Sequence, residues 1–585
     1  MSDQISSPDD RRQRILASAR WAAYGDALGF IGELTDRSGL RRRASVDHVV
    51  TTVPWSRRIG GQFGPTVKLP AGAISDDTQL RLATSRSIRP SGAFDVETFS
   101  EIEMTSWPAY ALGAGRGSLA AAANLRKRDT TWATNFFSGK NTSYLEGGGN
   151  GAAMRVQPHV WALPANAPQY AWLADVIVNS VCTHGHERGF VGAAFHAACV
   201  SSALAERRVP GPEEWLRIIG DLARLPAIIR EDDRLSEIWL RQWEKRSQRS
   251  LDDAVEAALT ELAEDTGALS SAAPEQKRAA YVNAVEALKA FEPSRRGSGT
   301  KTSLLGALVA WVFSEQAEEG LVVSADYLGT DTDSIATMAG AILGAAGAAP
   351  TELPGAVQDQ DYIEREAERM WAAAAGLRPP QFPYPDVLEW RPPRSGTDAI
   401  AADDDQLHLV GLGPGGAQEG TYVTEGKTPG LWQWMRLWFG QTVLAKRREH
   451  PPKLTSSNRV EPSSAYANAD LTARTEQPSE GTRTTGNGSA VPRQESARTD
   501  AERRYEERRG RHAQPPLRPV GKPKAERSLD EITDEVIKAG LTDTAIGVGL
   551  REVSGHDRAI ENGQAFSAII VKALVTRERQ RRRSE

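Results

Sequence analysis

Cysteine is nearly absent. Cys182 and Cys199 are the only two in 585 residues, too few for a disulfide framework in a chain this long, and a count that fits a reducing compartment. Charge of one sign is also lacking: the formal net charge is -5 and the isoelectric point is near 6.1. Nothing global therefore draws the chain to nucleic acid or to an anionic membrane, and any basic partner site must be local. No stretch reads as the roughly 20 apolar residues of a membrane span. The nearest, Leu431 to Ala445, is short and broken by Gln433, Arg436 and Gln441. The start, Met1 to Arg14, is polar and charged without an apolar signal region. These absences lead to the expectation of a cytoplasmic protein with no membrane partner. Alternating β-branched runs are scarce too, which argues against a sheet-based core.

What is present is Ala-rich helical patterning, in a chain with 40 % hydrophobic and 25 % charged residues that can bury a large core and folds as more than one unit. From residue 11 to 376 the sequence predicts an all-α domain. Helices are expected over Ile15 to Ala27, Gln79 to Ile88, Tyr170 to Cys182, Val191 to Glu206, Ala279 to Phe291, Thr302 to Gln316, Ile335 to Ala348 and Ile363 to Ala375. The more charged run from Pro210 to Arg296 reads as an insertion. Residues 377–452 read as a small extension packing on or near the helical domain, with a hairpin drawn from Leu407 to Leu412 and Thr421 to Val423. Trp432, Trp434, Trp438 and Phe439 either dock there or serve a partner.

Residues 453–527 are rich in Ser, Thr, Glu, Arg, Pro and Gly with almost no apolar clusters, so they cannot offset the entropy of ordering and read as a disordered linker. Residues 528–585 read as a small helical module, free to bind another protein. It opens on the capping-box pattern Ser528-Leu529-Asp530-Glu531 and continues in a helix across Ala565 to Val575. Its basic end, Arg577 to Arg583, reads as a solvated tail rather than a nucleic-acid reader.

Four short stretches carry chemistry. Ser75-Asp76-Asp77-Thr78 and Asp331-Thr332-Asp333-Ser334 both stand where a helix begins. Either one alone reads as a cap with acids in the first turn. Brought together they hold about four carboxylates with hydroxyls and carbonyls, an all-oxygen set suited to Mg²⁺ or Mn²⁺ rather than zinc, and without a cation that charge would repel itself. Small residues at Ala336, Gly340 and Gly344 allow close backbone approach. Gly147-Gly148-Gly149-Asn150-Gly151, leading into Ala152-Ala153-Met154, is a flexible run whose N–H groups can face an anion. It is not a P-loop, and Gly297-Ser298-Gly299-Thr300-Lys301-Thr302 misses that pattern by having Thr before Lys. Gly25-Asp26-Ala27-Leu28-Gly29 with Glu33 supplies spare carboxylates. His184 and His186 read as hydrogen-bonding or packing residues rather than a zinc pair, with His184 free to contact a bound nucleotide or ribose.

These stretches, in this order and together with Thr183-His184-Gly185-His186, resemble the ADP-ribosylglycohydrolase family over about residues 11 to 376. The resemblance implies an orthogonal all-α fold and a pair of Mg²⁺ or Mn²⁺ ions held by Ser75, Asp76, Asp77, Asp331, Asp333 and Ser334. Two departures stand out: the family usually has Thr where Ser75 and Ser334 stand, and Gly where Thr330 stands. The implied reaction is hydrolysis at the distal ribose of ADP-ribose carried by a modified protein, with arginine as the expected linkage. Glu33, Asp77 and Asp333 would serve the chemistry, while Gly147 to Gly151, Met154 and His184 would bind substrate. A different class of answer is a protein that recognises ADP-ribose, or blocks a cognate ADP-ribosyltransferase as an immunity factor would, without needing catalysis.

Overall fold

The computed structural model describes residues 8–61, 64–140, 142–269, 276–424, 430–468 and 528–553, with a few positions between 566 and 573. The chain divides into two compact units, Met1–Gln477 and Pro478–Glu585. The first is mainly helical, as expected. Six of its helices frame the argument: α1 (Pro8–Gly32), α2 (Asp76–Arg86), α3 (Glu187–Glu206), α4 (Gly299–Val312), α5 (Thr332–Ala346) and α6 (Gln360–Ala374).

The centre of this unit is the seam between α1 and α5. Both helices are rich in small residues, so their backbones touch. A Cβ on Gly29 would lie 2.3 Å from the Thr332 carbonyl oxygen, which no side chain allows. The Thr332 hydroxyl instead donates to Gly29 O at 2.8 Å, and the Thr337 hydroxyl to Ala22 O at 2.7 Å. α2 is buried along its whole length. Its C-terminal residue, Arg86, forms a fully buried bidentate pair with Glu103, at 2.6 and 2.9 Å. The segment expected as an insertion packs as helices, and its Trp215, Trp239 and Trp243 are among the largest fully buried side chains.

α3 is long and apolar enough by length and composition to cross a membrane, which corrects the expectation that no stretch comes close. It is mostly buried among other helices, with Phe190, Phe195 and Cys199 in the core. Cys182 and Cys199 are free and buried.

Two sheets depart from an all-helix reading. Strands β1 (Trp55–Arg58) and β2 (Thr66–Leu69) pair antiparallel within the helical region. The extension forms a five-stranded antiparallel meander, β3 (Ile400–Asp403), β4 (Gln406–Leu409), β5 (Gly413–Val423), β6 (Leu431–Leu437) and β7 (Thr442–Arg447), rather than one hairpin. β5 begins Gly-Pro-Gly-Gly and shifts register between Ala417 and Thr421, so its sequence carries almost no strand signal. The aromatic cluster docks inward. Trp432, Trp434 and Phe439 are buried, and the Phe439 ring lies 5.2 Å from Tyr362 of α6. Gln441 also accepts from Arg86 at 2.8 Å, tying the extension to α2.

Residues 453–468, expected as the start of a linker, pack on the first unit instead. Leu454, Val460 and Tyr466 are buried, and the Tyr466 hydroxyl reaches Glu366 of α6; three apolar anchors suffice to hold an otherwise polar run. Residues 469–527 lie outside the described residues. In the second unit Ser528 and Glu531 cap each other as expected, with Oγ accepting the Glu531 N–H at 3.3 Å and Oε2 accepting the Ser528 N–H at 2.8 Å. The helix they open, Leu529–Lys538, is followed by another at Asp543–Val553, and Ile532, Val536, Leu541, Val553, Phe566 and Ile570 form a small core. Most of the helix expected across Ala565 to Val575, and the basic tail, lie outside the described residues.

Candidate active site

The acid-bearing end of α2 is assembled from three separate parts of the chain. Ser75 is its N-cap, with extended backbone and Oγ accepting the Asp77 N–H at 3.2 Å. Asp26, on α1 and fully buried, accepts the Ser75 N–H at 3.2 Å and the Thr78 N–H at 3.1 Å. The Asp76 N–H donates to Leu112 O at 2.7 Å. Every amide that the helix leaves without an internal partner at this end thus has an oxygen, and Asp76 and Asp77 stand where the helix dipole favours negative charge.

α5 presents the second acid cluster. The Ser334 N–H donates to Asp333 Oδ1 at 2.9 Å, and Asn150 Nδ2 donates to Asp331 Oδ2 at 2.9 Å and to Thr302 Oγ1 at 3.3 Å. Asn150 therefore joins the glycine loop to the second cluster. The loop is pinned from outside as well: the Asn150 N–H donates to Gly297 O and the Gly299 N–H to Gly148 O, both at 2.8 Å.

One cavity of about 510 Å³ is lined by Glu33, Asp76, Asp77, Asp331, Asp333 and Ser334 together with Gly147 to Gly151, Met154 and His184. Of the residues expected to bind metal or substrate or to serve the chemistry, Ser75 alone stands outside this lining; it is fully buried and its hydroxyl caps α2. Asp26 likewise holds the helix end rather than facing the cavity.

Burial raises the carboxyl pKa of Asp76, Asp77 and Asp333 well above the ordinary range. Negative neighbours raise each further: Glu33 and Asp26 for Asp76, Asp26 and Asp76 for Asp77, Glu33 and Asp77 for Asp333. Asp77 Oδ1 is buried with no hydrogen-bond partner. Among the described residues, no three His, Cys, Asp or Glu side chains converge as a ready-made metal cage. The donor set is instead mixed, with carboxylates and a hydroxyl distributed about a cavity large enough for water. An orphaned carboxylate oxygen, mutually repelling acids and all-oxygen chemistry fit a hard divalent cation that keeps part of its water shell.

Glu33 follows the end of α1, with Oε2 accepting from Arg57 Nη1 at 2.6 Å. Burial raises its pKa despite the opposing pull of Arg57. His184 is held neutral because burial lowers its pKa to about 3. The Thr183 hydroxyl, which accepts from Arg155 at 2.9 Å, lies 2.7 Å from His184 Nδ1 and 3.4 Å from Ser180 O. This contact fixes the orientation of the neutral His184 ring. A Cβ on Gly151 would meet that ring at 2.8 Å, which explains a glycine there.

Sequence reasoning did not single out Arg116, Phe137, Lys140, Arg188 or Arg296, which also line the cavity. They come from separate segments, Arg116 and Arg188 from the first turns of two helices, and bear no motif. Gly297 and Ser298 line it too, and the signal for them was present: the glycine pair set aside for failing the P-loop pattern.

The family model described as ADP-ribosylglycohydrolase matches residues 7–380, and the chain belongs to that family. The family reaction is the hydrolytic removal of ADP-ribose, in general from a modified protein. One solved structure similar to this chain is described as an "ADP-ribosylglycohydrolase-related protein complex", at 18 % identity over 63 % of this chain and 99 % of that one, with a TM-score of 0.40. No curated protein matches the chain.

Proposed function

We propose that the chain releases ADP-ribose from an arginine-modified protein by hydrolysing the glycosidic bond at the distal ribose, in a metal-dependent reaction. The observation that carries this reading is that both acidic helix starts, Glu33, the glycine loop and His184 line one cavity. Two divalent cations, Mg²⁺ or Mn²⁺, would be held by Asp76, Asp77, Asp331, Asp333 and Ser334, with Ser75 supporting from the cap. Once bound they would supply Lewis-acid and water-activating chemistry.

The protein's own groups account for the rest. The Gly147 and Asn150 amides already donate to Ser143 O and Gly297 O, so cradling of the diphosphate falls to the N–H groups of Gly148, Gly149 and Gly151. His184 adds a neutral imidazole edge. Glu33, oriented by Arg57 and with its pKa raised, is suited to keep a proton and polarise the leaving group as the ribose takes on oxocarbenium character. The partners this reading implies are an ADP-ribosylated protein and the cognate ADP-ribosyltransferase that modifies it.

The test is incubation of the whole chain, with Mg²⁺ or Mn²⁺, against arginine-linked and serine-linked ADP-ribosylated proteins, with chelator and Asp77→Ala controls and products read by mass spectrometry. Free ADP-ribose from the arginine-linked protein alone is expected. AMP as product would replace the reading with a diphosphate hydrolase, and protection from the transferase that survives Asp77→Ala would replace it with a non-catalytic blocker.

A further inference from the structure

A second cavity, of about 880 Å³, shares no lining residue with the acid pocket. It opens where the segment around Arg126 meets the stretch from Trp390 to Arg394 and the run from Arg448 to Asn458. Its wall carries five arginines and two lysines against two carboxylates, Glu101 and Asp398, in a chain whose net charge is -5. Among the described residues Arg448 is ion-paired, with Asp398 at 2.6 Å, whereas Arg128, Arg391, Arg394 and Lys453 have no carboxylate within ion-pair distance. Two buried donors in the wall, Arg126 Nη2 and Trp390 Nε1, also lack a protein partner. Leu125, Val410 and Leu454 add apolar surface.

Like charges gathered this closely repel one another, and buried donors without acceptors are costly, so both features call for an anion. Arginine's planar fork matches phosphate oxygens in pairs. A half-enclosed cavity of this size suits a ligand whose charges lie within a few Å of each other, as linked phosphates do, better than the widely spaced carboxylates of an acidic peptide. The apolar patch suits a base or comparable ring. Residues 469–527 of this chain carry more arginine and lysine than aspartate and glutamate, so they do not complement the site.

We infer that this cavity is a second binding site for a ligand of nucleotide chemistry, two or more phosphates on an apolar ring-bearing body. Free nucleotide and the phosphates of a single nucleic-acid strand are the two sources of that chemistry. Filling the cavity would also bind the strand extension to the helical domain.

The test is calorimetric titration of the whole chain with ADP, with a short single-stranded oligonucleotide and with a polyglutamate peptide, using wild type and an Arg128→Glu, Arg394→Glu double variant. Both arginines are exposed, so the fold tolerates the change. ADP or the strand should bind wild type and lose about tenfold or more in affinity in the variant, with a shallower salt dependence, while ADP-ribose release is unchanged. The tighter of the two names the source. A Gly149→Val variant, altered in the other pocket, should keep this binding. Affinity unchanged by the double reversal, binding lost in Gly149→Val, polyglutamate binding as tightly as ADP, or no binding of either phosphate ligand would each overturn the inference.

Discussion

Asp26→Ala tests how the acid pocket is built. The Asp26 carboxylate, fully buried on α1, accepts the Ser75 and Thr78 amides at 3.2 and 3.1 Å. Alanine would leave both N–H groups at the start of α2 buried without an acceptor. At about 1–3 kcal/mol for each orphaned group, the loss is on the order of 4 kcal/mol. Arg81 sits nearby and would lose part of its countercharge, which pushes the loss upward. Asp26→Asn keeps one oxygen and the shape, so it should lose about half as much. All fifteen tryptophans fall between residues 21 and 438, so urea unfolding followed by tryptophan fluorescence reports the first unit alone. Asp26→Ala should unfold at clearly lower urea and fail to bind Mn²⁺ even while folded, because Asp76 and Asp77 are placed through this contact. Stability within about 0.5 kcal/mol of wild type, the range of an uninvolved surface change, would refute the reasoning.

Other consequences follow from the same contacts. His159 is buried against Phe94 and its pKa is lowered to about 4, chiefly by burial; the unfolded chain takes up that proton near pH 6.5. Between these values the unfolded state binds more protons, so wild type should lose up to about 1.4 kcal/mol per pH unit on acidification, a contribution absent from His159→Phe. Equal acid slopes in urea titrations of the two proteins would contradict this. Glu103→Gln leaves the Arg86 guanidinium fully buried without its countercharge and should destabilise the first unit by about 3–5 kcal/mol, read by the same unfolding curves. Glu33→Gln should lower kcat by about 100-fold with little change in KM or in Mn²⁺ affinity; unchanged kcat would remove Glu33 from the chemistry.

The parts legible in the sequence were those written in local patterns. The small residues at Ala336, Gly340 and Gly344 pointed to close helix contact, and the α1–α5 seam uses Gly340, where a Cβ would lie 2.2 Å from Trp21 O. The two acidic helix starts and the glycine loop were recognisable because each occupies consecutive residues. What escaped was dispersed or masked. β5 hides behind its glycines, the start of the apparent linker is anchored by the isolated Leu454, Val460 and Tyr466, and the first turn of α3, Glu187 to Phe190, lay outside the helix expected over Val191 to Glu206. Ser75 read as a cap from its own neighbours and as a metal ligand from the family resemblance, and the structure places its hydroxyl on the Asp77 amide. The basic cavity draws on three segments more than 300 residues apart at its extremes, Arg126 to Lys453, in a chain of balanced charge, so no window of sequence reveals it.

The proposed reaction requires the two acidic helix starts to hold divalent cations at one pocket. Its most direct test is titration of Mn²⁺ into the whole chain, followed by electron paramagnetic resonance, for wild type, Asp77→Ala and Asp333→Ala. Two bound ions per chain in wild type, with at least one lost in each variant and ADP-ribose release lost alongside, is the predicted result. Mn²⁺ binding identical in all three proteins would contradict it.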